Sequence, residues 1–443
     1  MSALAPLRHS GFRWLLAGRT VAAFGNAVAP IALAFAVLDL TGSAGDLGLV
    51  VGARMIAHVL VLLIAGALAD RLPKTLLMAG SSAAAAVTQG AVAALVLTGT
   101  ATVPLLIALA AVNGAVAALA LPASSAILPQ LVPAEHRQQA NGLNRLVFNS
   151  AYIVGAPVGG ILVAAVGPGW DIAVDAVTFL LAAAFFAALG RSARRADPAG
   201  PAAKRGLAVV APVPDAVAGA VLRTEKRSMI TDLREGWTEF RSRTWLWVVV
   251  AGFCLINAAL SGGFNVLGPL VADATVGRQA WGFVLAAQTG GMVLGAVVAM
   301  RLRVRRLLFV GVLCTACEAF PVLTLGIAPH LGLLLGAAFL AGFMIEQFAV
   351  AWETTMQEHV PADRLARVYS YDMVGSFVAI PLGQVAAGPI AAAVGVTPTL
   401  VGAAVLIVFA VVAMASSRAV RTLRHGYPQA DRSDPRPVEE LAA

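Results

Sequence analysis

Apolar stretches of about twenty residues or more recur from end to end of this chain, separated by short clusters of charge, glycine and proline. A run of that length, wound as a helix, covers the hydrocarbon thickness of a bilayer. The pattern predicts twelve spanning helices, over 14–38, 46–69, 74–98, 102–127, 140–166, 170–190, 245–270, 279–300, 307–327, 331–355, 367–394 and 397–416. Glycine and proline are frequent within them, which membrane helices tolerate better than soluble ones do. Composition agrees: of 443 residues, 59% are apolar and only 12% charged, with a mean hydropathy of +0.84. A soluble domain carries about twice that charge. The first run starts near Trp14 and is too long for the core of a cleavable signal.

The net charge of +8 is not spread as a nucleic-acid surface would be, and no nucleic-acid partner is expected. Arg8 and Arg13 precede the first span, Arg71 and Lys74 join spans 2 and 3, and Arg137 lies between 4 and 5. The hinge between 8 and 9 reads RLRVRR (301–306), Arg364 and Arg367 lie between 10 and 11, and Arg418, Arg421 and Arg424 follow span 12. The alternate loops carry one base, Arg278. Basic loops stay in the cytoplasm, so both termini are expected there. The longest loop, 191–244, is rich in Ala, Pro and Arg and lies on the same side. It divides an N-terminal bundle (1–190) from a C-terminal one (245–416), with a tail (417–443) expected to be disordered. The last part of the loop, DLREGWTEFRSRTW, has helical periodicity; it is either a helix at the membrane surface or a plain linker.

The two bundles share a register. VPAE (132–135) and VPAD (360–363) are 228 residues apart, and at that offset Gly114 meets Gly342, Gly155 meets Gly383, Gly160 meets Gly388, and AAVG at 164–167 meets AAVG at 392–395. A gap-free match of this length argues for two homologous six-helix halves. The expected fold is therefore an all-α membrane protein of twelve helices in two pseudo-symmetric bundles.

Several chemistries are excluded. A phosphate-binding loop needs Gly-Lys-Ser/Thr, yet the lysines Lys74, Lys204 and Lys226 follow Pro, Ala and Glu, so ATP does not drive this chain directly. Cys314 and Cys317 form a CxxC with no second pair or nearby histidine, and with Cys254 they are read as packing residues. No nucleophile constellation or metal cluster stands out, so neither an enzyme nor a cofactor is expected.

GALADRLPKT (66–75) resembles the loop 2–3 signature of the major facilitator superfamily, with Gly66, Asp70, Arg71 and Lys74 in register; Pro73 and Thr75 depart from it. GAPVGG (155–160) is similar to the helix 5 motif of drug–proton exporters. Gly155, Gly159 and Gly160 match, and Pro157 falls one position late. LPQLVPAEHRQQANGLNR, DAVTF and WETTMQEHVPADRLARVYSYDMVGSF resemble the subgroup of macrolide and siderophore exporters. The basic residue such exporters often carry four positions before Gly114 is replaced by Ala110. The resemblance implies alternating access, with spans 1, 4, 7 and 10 lining the cavity. It also implies that Gly66 lets span 2 approach span 11, where Asp70 would latch the cytoplasmic side.

Polar residues fall in stripes: Asn141, Asn144, Arg145, Asn149 and Tyr152 on span 5; Asn257, Ser261 and Asn265 on span 7; Arg19 and Asn26 on span 1; Glu346 and Glu353 on span 10. They either line a hydrated cavity or bond neighbouring helices. Ionisable residues deep in a membrane default to functional candidates. Glu346, His58 and Glu318 lie nearest the middle, and Glu346, on a cavity-facing span, is the first candidate for proton coupling. Arg54 is a candidate for binding an anionic group or pairing with an acid such as Asp39, and Asp372 lies near the cytoplasmic side. The expected function is export of a small amphipathic compound from a bacterial cell by proton antiport, as a monomer in the plasma membrane. The alternatives are import or uniport, or a non-transporting sensor of the same fold.

Overall fold

The computed structural model describes residues 5–133, 136–196, 237–238, 240–299, 301 and 304–424. Twelve of its helices are long and apolar enough to cross a membrane. In chain order they are α1 (Ser10–Thr41), α2 (Ala44–Arg71), α3 (Lys74–Leu97), α4 (Val103–Leu131), α5 (Arg137–Val166) and α6 (Pro168–Ala196). Then come α7 (Thr244–Ala274), α8 (Arg278–Ala299), α9 (Leu307–Ile327), α10 (Leu331–His359), α11 and α12 (Val396–Ser416).

Three helices depart from regularity. The middle of α7, Ser261–Leu267, is a π-helical stretch, and α9 tightens to a 3-10 turn at Thr315–Glu318. Instead of the single expected helix, α11 consists of Ala362–Phe377 and Ile380–Val394, broken at 378–379. A break inside a membrane frees carbonyls that must find donors. α7 supplies them: Asn257 Nδ2 donates to the Ser376 carbonyl at 2.8 Å and Ser261 Oγ to that of Ile380 at 2.9 Å.

Within the first six helices, α1 packs on α5 and α6, α3 on α4 and α6, and α2 on α4. Within the last six, α8 packs on α10, α9 on α10 and α12, and α7 on α11 and α12. The two groups meet along α2 with α11 and α5 with α8.

The glycine pairs at the 228-residue offset occupy matching places. A Cβ on Gly114 would sit 2.0 Å from the Arg54 carbonyl oxygen of α2, and one on Gly342 would sit 2.0 Å from the Gln288 oxygen of α8. Gly160 abuts the Arg278 and Gln279 carbonyls of α8, while Gly388 abuts Gly45 of α2. Related glycines thus make related helix crossings, as close approach in a membrane requires. Gly342→Leu should cost about 1–3 kcal/mol of packing and lower the thermal unfolding midpoint in detergent. An unchanged midpoint would mean that the α8–α10 contact is looser than described.

Near the start of α7, Trp237 and Phe240 stack with ring centroids 5.7 Å apart, and both meet Tyr371 of α11. The remainder of the helical-periodic stretch before Trp237 lies outside the described residues. In the stretch expected to be a disordered tail, Arg418–Thr422 forms a short helix that buries Val420. Cys254, Cys314 and Cys317 are free thiols, half-buried.

Candidate functional site

Long apolar helices leave each polar side chain with few partners, so where each one turns is informative. In the first six helices they turn inward. Arg19 of α1 donates from Nη1 to Asn144 Oδ1 of α5 at 2.8 Å, and from Nη2 to the hydroxyl of Ser124 on α4 at 2.7 Å and to its carbonyl. Asn144 therefore serves a three-helix clamp. Asn26 bonds back to the Ala22 carbonyl of its own helix.

Arg54 reaches Asn113 of α4, Nε to Oδ1 at 3.3 Å, and Asn113 passes its amide to Thr88 of α3 at 3.1 Å. The expected Arg54–Asp39 pair does not form, because Asp39 is taken by another arginine described below. His58 Nδ1 lies 3.2 Å from the Gly114 carbonyl, which bridges α2 to α4. Tyr152 lies within electrostatic reach of Arg54 and of Asp175 of α6, so the end of the span 5 stripe belongs to this cluster.

In the last six helices the stripes divide. Asn257 and Ser261 serve the α11 backbone, as described above. An α-helix would keep Asn265 on their face, but the extra residue per π turn rotates it away. From Ser261 to Pro269 every residue is buried except Asn265. An exposed amide facing lipid would lack partners, so exposure there points to a water-filled space. π-Bulges are frequent at functional sites.

Glu346, half-buried on α10, is the acid that the second half presents to the first: the Arg145 guanidinium of α5 acts on it electrostatically. Gly295 of α8 makes room beside it, since a Cβ there would lie 3.0 Å from that of Glu346. Asn149, half-buried, lies one turn beyond Arg145 on α5. Toward the termini, Asp372 accepts from Trp352 Nε1 at 3.0 Å and from Ser376 Oγ at 3.2 Å, while Glu353 is exposed and accepts from Gln357 at 2.8 Å. Glu318 is 2% exposed on the 3-10 turn of α9, and its Oε2 has no hydrogen-bond partner among the described residues. It packs toward α10 and α12 and away from the junction between the two groups.

Lys74 opens α3 and follows Pro73 at the cap, where no backbone donor is lost. Gly66, Asp70 and Arg71 belong to the end of α2, but their side chains lie outside the described residues, so the expected latch to α11 is not visible here. On α5, Gly155 abuts Ala27 of α1 and Gly159 abuts Val28, with Pro157 inside the helix and its α-carbon against Gly282 of α8.

At the end of the bundle away from the termini, Arg278 opens α8 and grips two carboxylates. Nη1 donates to Asp39 Oδ2 at 2.9 Å and Nη2 to Asp39 Oδ1; Nε donates to Asp273 Oδ1 at 2.7 Å and Nη2 to Oδ2 at 3.2 Å. Its guanidinium also sits 4.9 Å above the Phe35 ring. Asp273 belongs to α7, but Asp39 and Phe35 belong to α1, so this fork crosses between the two groups. Gly45 and Gly48 of α2 press on α11 near the same end. The lone base of the alternate loops is therefore a clasp, and only its isolation in the sequence hinted at that. Asn113, Gln89 and Asp171 were also missed, although Asp171 and Asp175 stand four residues apart on α6, a spacing that shares one helical face.

The sequence profile of the Major Facilitator Superfamily matches residues 15–383. This chain belongs to that superfamily. Among related proteins, it is 27% identical over 405 residues to the multidrug efflux pump Tap of Mycolicibacterium fortuitum, spanning 87% of this chain and 90% of that one. It is 24% identical over 397 residues to the uncharacterized transporter YfiS of Bacillus subtilis, spanning 88% of each. In fold it is similar to a bacterial homolog of the human lysosomal transporter Spinster, solved inward-facing and unoccupied (TM-score 0.67, 15% identity, 93% of this chain and 97% of that one). The nucleoside transporter NupG is comparably similar (TM-score 0.66, 14% identity, 92% and 100%). The protein is thus a multi-pass membrane transporter and not an enzyme.

Proposed function

We propose that this transporter exports a small amphipathic compound from a bacterial cell in exchange for protons, as a monomer with both termini in the cytoplasm. The observation that carries the reading is the place of Glu346, an acid half-buried on α10 and packed beside Gly295 of α8, the helix that meets α5 of the first group. An acid at a moving junction can exchange a proton for a bound compound as the groups rock about the site. One relative, matched along 90% of its length, is a multidrug efflux pump, which further supports the reading. With the termini in the cytoplasm, the end clasped by Arg278 is external, so release to the outside requires this clasp to part.

The test uses purified protein in proteoliposomes with ethidium as the probe. An imposed pH gradient should drive ethidium movement, and collapsing the gradient should stop it. Movement indifferent to the gradient would overturn proton coupling. Import is favoured by one observation, the Ala110 that stands where exporters often carry a base; net uptake down the same gradient would establish it. Asp70→Asn should lower transport severalfold while expression persists, measured in the same vesicles against membrane content of the protein. Normal transport would reduce the GALADRLPKT stretch to a topology signal.

A further inference from the structure

The acids of α6 have no role in the mechanism above. Asp171 and Asp175 are each 0% exposed. Both oxygens of Asp171, and Oδ1 of Asp175, have no hydrogen-bond partner among the described residues. The other Asp175 oxygen accepts from Gln89 Nε2 of α3 at 2.5 Å. The walls beside the two acids are bare backbone: a Cβ on Gly25 of α1 would lie 2.4 Å from Asp175 Oδ1, and one on Gly159 of α5 would lie 3.5 Å from Asp171 Oδ2.

A buried carboxylate short of donors and of a paired cation is too costly to keep ionised: Asp171 has no donor among the described residues, Asp175 has Gln89 alone, and one helical turn apart each raises that cost for the other. We propose that Asp171 and Asp175 form a proton-binding site within the first six helices, distinct from Glu346, and that the pair holds at least one proton in the conformation described. Few charged or titratable groups face the pair. α2 contributes Arg54, with His58 one turn beyond. α5 contributes Tyr152, which feels the charges of Arg54 and Asp175, and Arg54 acts on Asp175. α3 offers the neutral Gln89, α6 the Thr178 hydroxyl, and α1 the bare backbone of Gly25.

Arg54 and Gln89 also line a cavity of about 20 Å³, room for a single water, together with Asn113. The proton enters as water-borne hydronium at this cavity, passes beside Gln89 to Asp175, and leaves a water behind. It returns to that water as hydronium when Arg54 swings from Asn113 toward Asp175 and takes the proton's place as the counter-charge. α6 packs against α1 and α5, and α5 meets the other group at α8, so rocking of the two groups reaches the site.

Binding of the proton does not depend on the antiport reading; its use as a coupling ion does. The experiment is infrared spectroscopy of the full-length protein in lipid nanodiscs at neutral pH. A protonated-carboxyl band is expected, part of which disappears in Asp171→Asn and in Asp175→Asn. Asp175→Glu should keep that part at a shifted frequency, which distinguishes loss of the acid from loss of the fold, and Glu346→Gln should leave it in place. A band unchanged in both Asn variants would overturn the proposal, as would its loss on adding sodium at fixed pH, which would assign the site to a metal cation. In proteoliposomes, Asp175→Asn should reduce gradient-driven ethidium movement by about tenfold or more. If the wild type ignores the gradient while the band behaves as stated, the antiport reading falls and the proton site stands.

Discussion

Glu346→Gln is expected to abolish pH-gradient-driven ethidium transport in proteoliposomes while leaving the protein folded and its downhill exchange of dye intact. Glutamine has nearly the shape of the protonated acid, so the pocket beside Gly295 keeps its packing. What is removed is the ability to become charged. What remains is a group that is always neutral, so the charge that α10 presents beside α8 can no longer be switched by a proton. A coupling free energy between two ligands of one protein is typically about 1–3 kcal/mol, a roughly 5–150-fold effect of one on the affinity for the other, and without it the pH gradient has no hold on the dye. Uncoupled exchange with unchanged dye affinity is the signature expected. Unimpaired gradient-driven transport would remove Glu346 from the mechanism and leave the α6 pair as the coupling candidate.

The second large effect is expected at the clasp. Arg278 is about a quarter exposed and Asp39 about two-fifths, so the pair alone is worth at most about 1 kcal/mol. Its bidentate geometry and the Phe35 ring beneath it add to that, giving a bias of about 1–2 kcal/mol. That is roughly a tenfold preference for the conformation closed at this end. Arg278→Ala should therefore raise the open population about tenfold, read as a longer distance between spin labels at Thr41 and Thr275. Exchanging the charges with Arg278→Asp and Asp39→Arg should restore closure only in part, because Asp273 then faces a like charge. No change in the distance distribution of Arg278→Ala would mean that the glycine contacts of α2 and α11 close this end unaided.

The twelve spans were readable because a bilayer imposes a constraint along one dimension: a helix must be long enough and apolar enough, and both are properties of consecutive residues. The break in α11 was only half readable. Pro381 has no N–H to give the Phe377 carbonyl and its ring crowds that turn, which marks an interruption near 378–379; the chain does not show that Asn257 and Ser261, more than a hundred residues earlier, donate to the Ser376 and Ile380 carbonyls there. The span 7 stripe failed for a related reason. Its spacing assumed 3.6 residues per turn throughout, and the π turn rotates Asn265 away from its expected companions.

Charge partners divide in the same way. From the chain, Arg54 could bind an anionic group or pair with an acid such as Asp39. In space Asp39 lies at the end of α1, where Arg278 reaches it from a helix 239 residues away in sequence. The repeat of glycines at a constant offset was visible in the chain, while the fact that Gly114 and Gly342 make matching crossings within their own halves, and Gly160 and Gly388 matching crossings between the halves, required the packing of the helices.

Residue order alone was sufficient for the family, the number of spans and the basic loops, since hydropathy, length and motif spacing are read along the chain. The choice of partner for each polar side chain belonged to the folded bundle. Helix rotation and crossing point decide whether a buried aspartate meets a donor or a bare glycine, and neither quantity is encoded in the neighbouring residues of one helix.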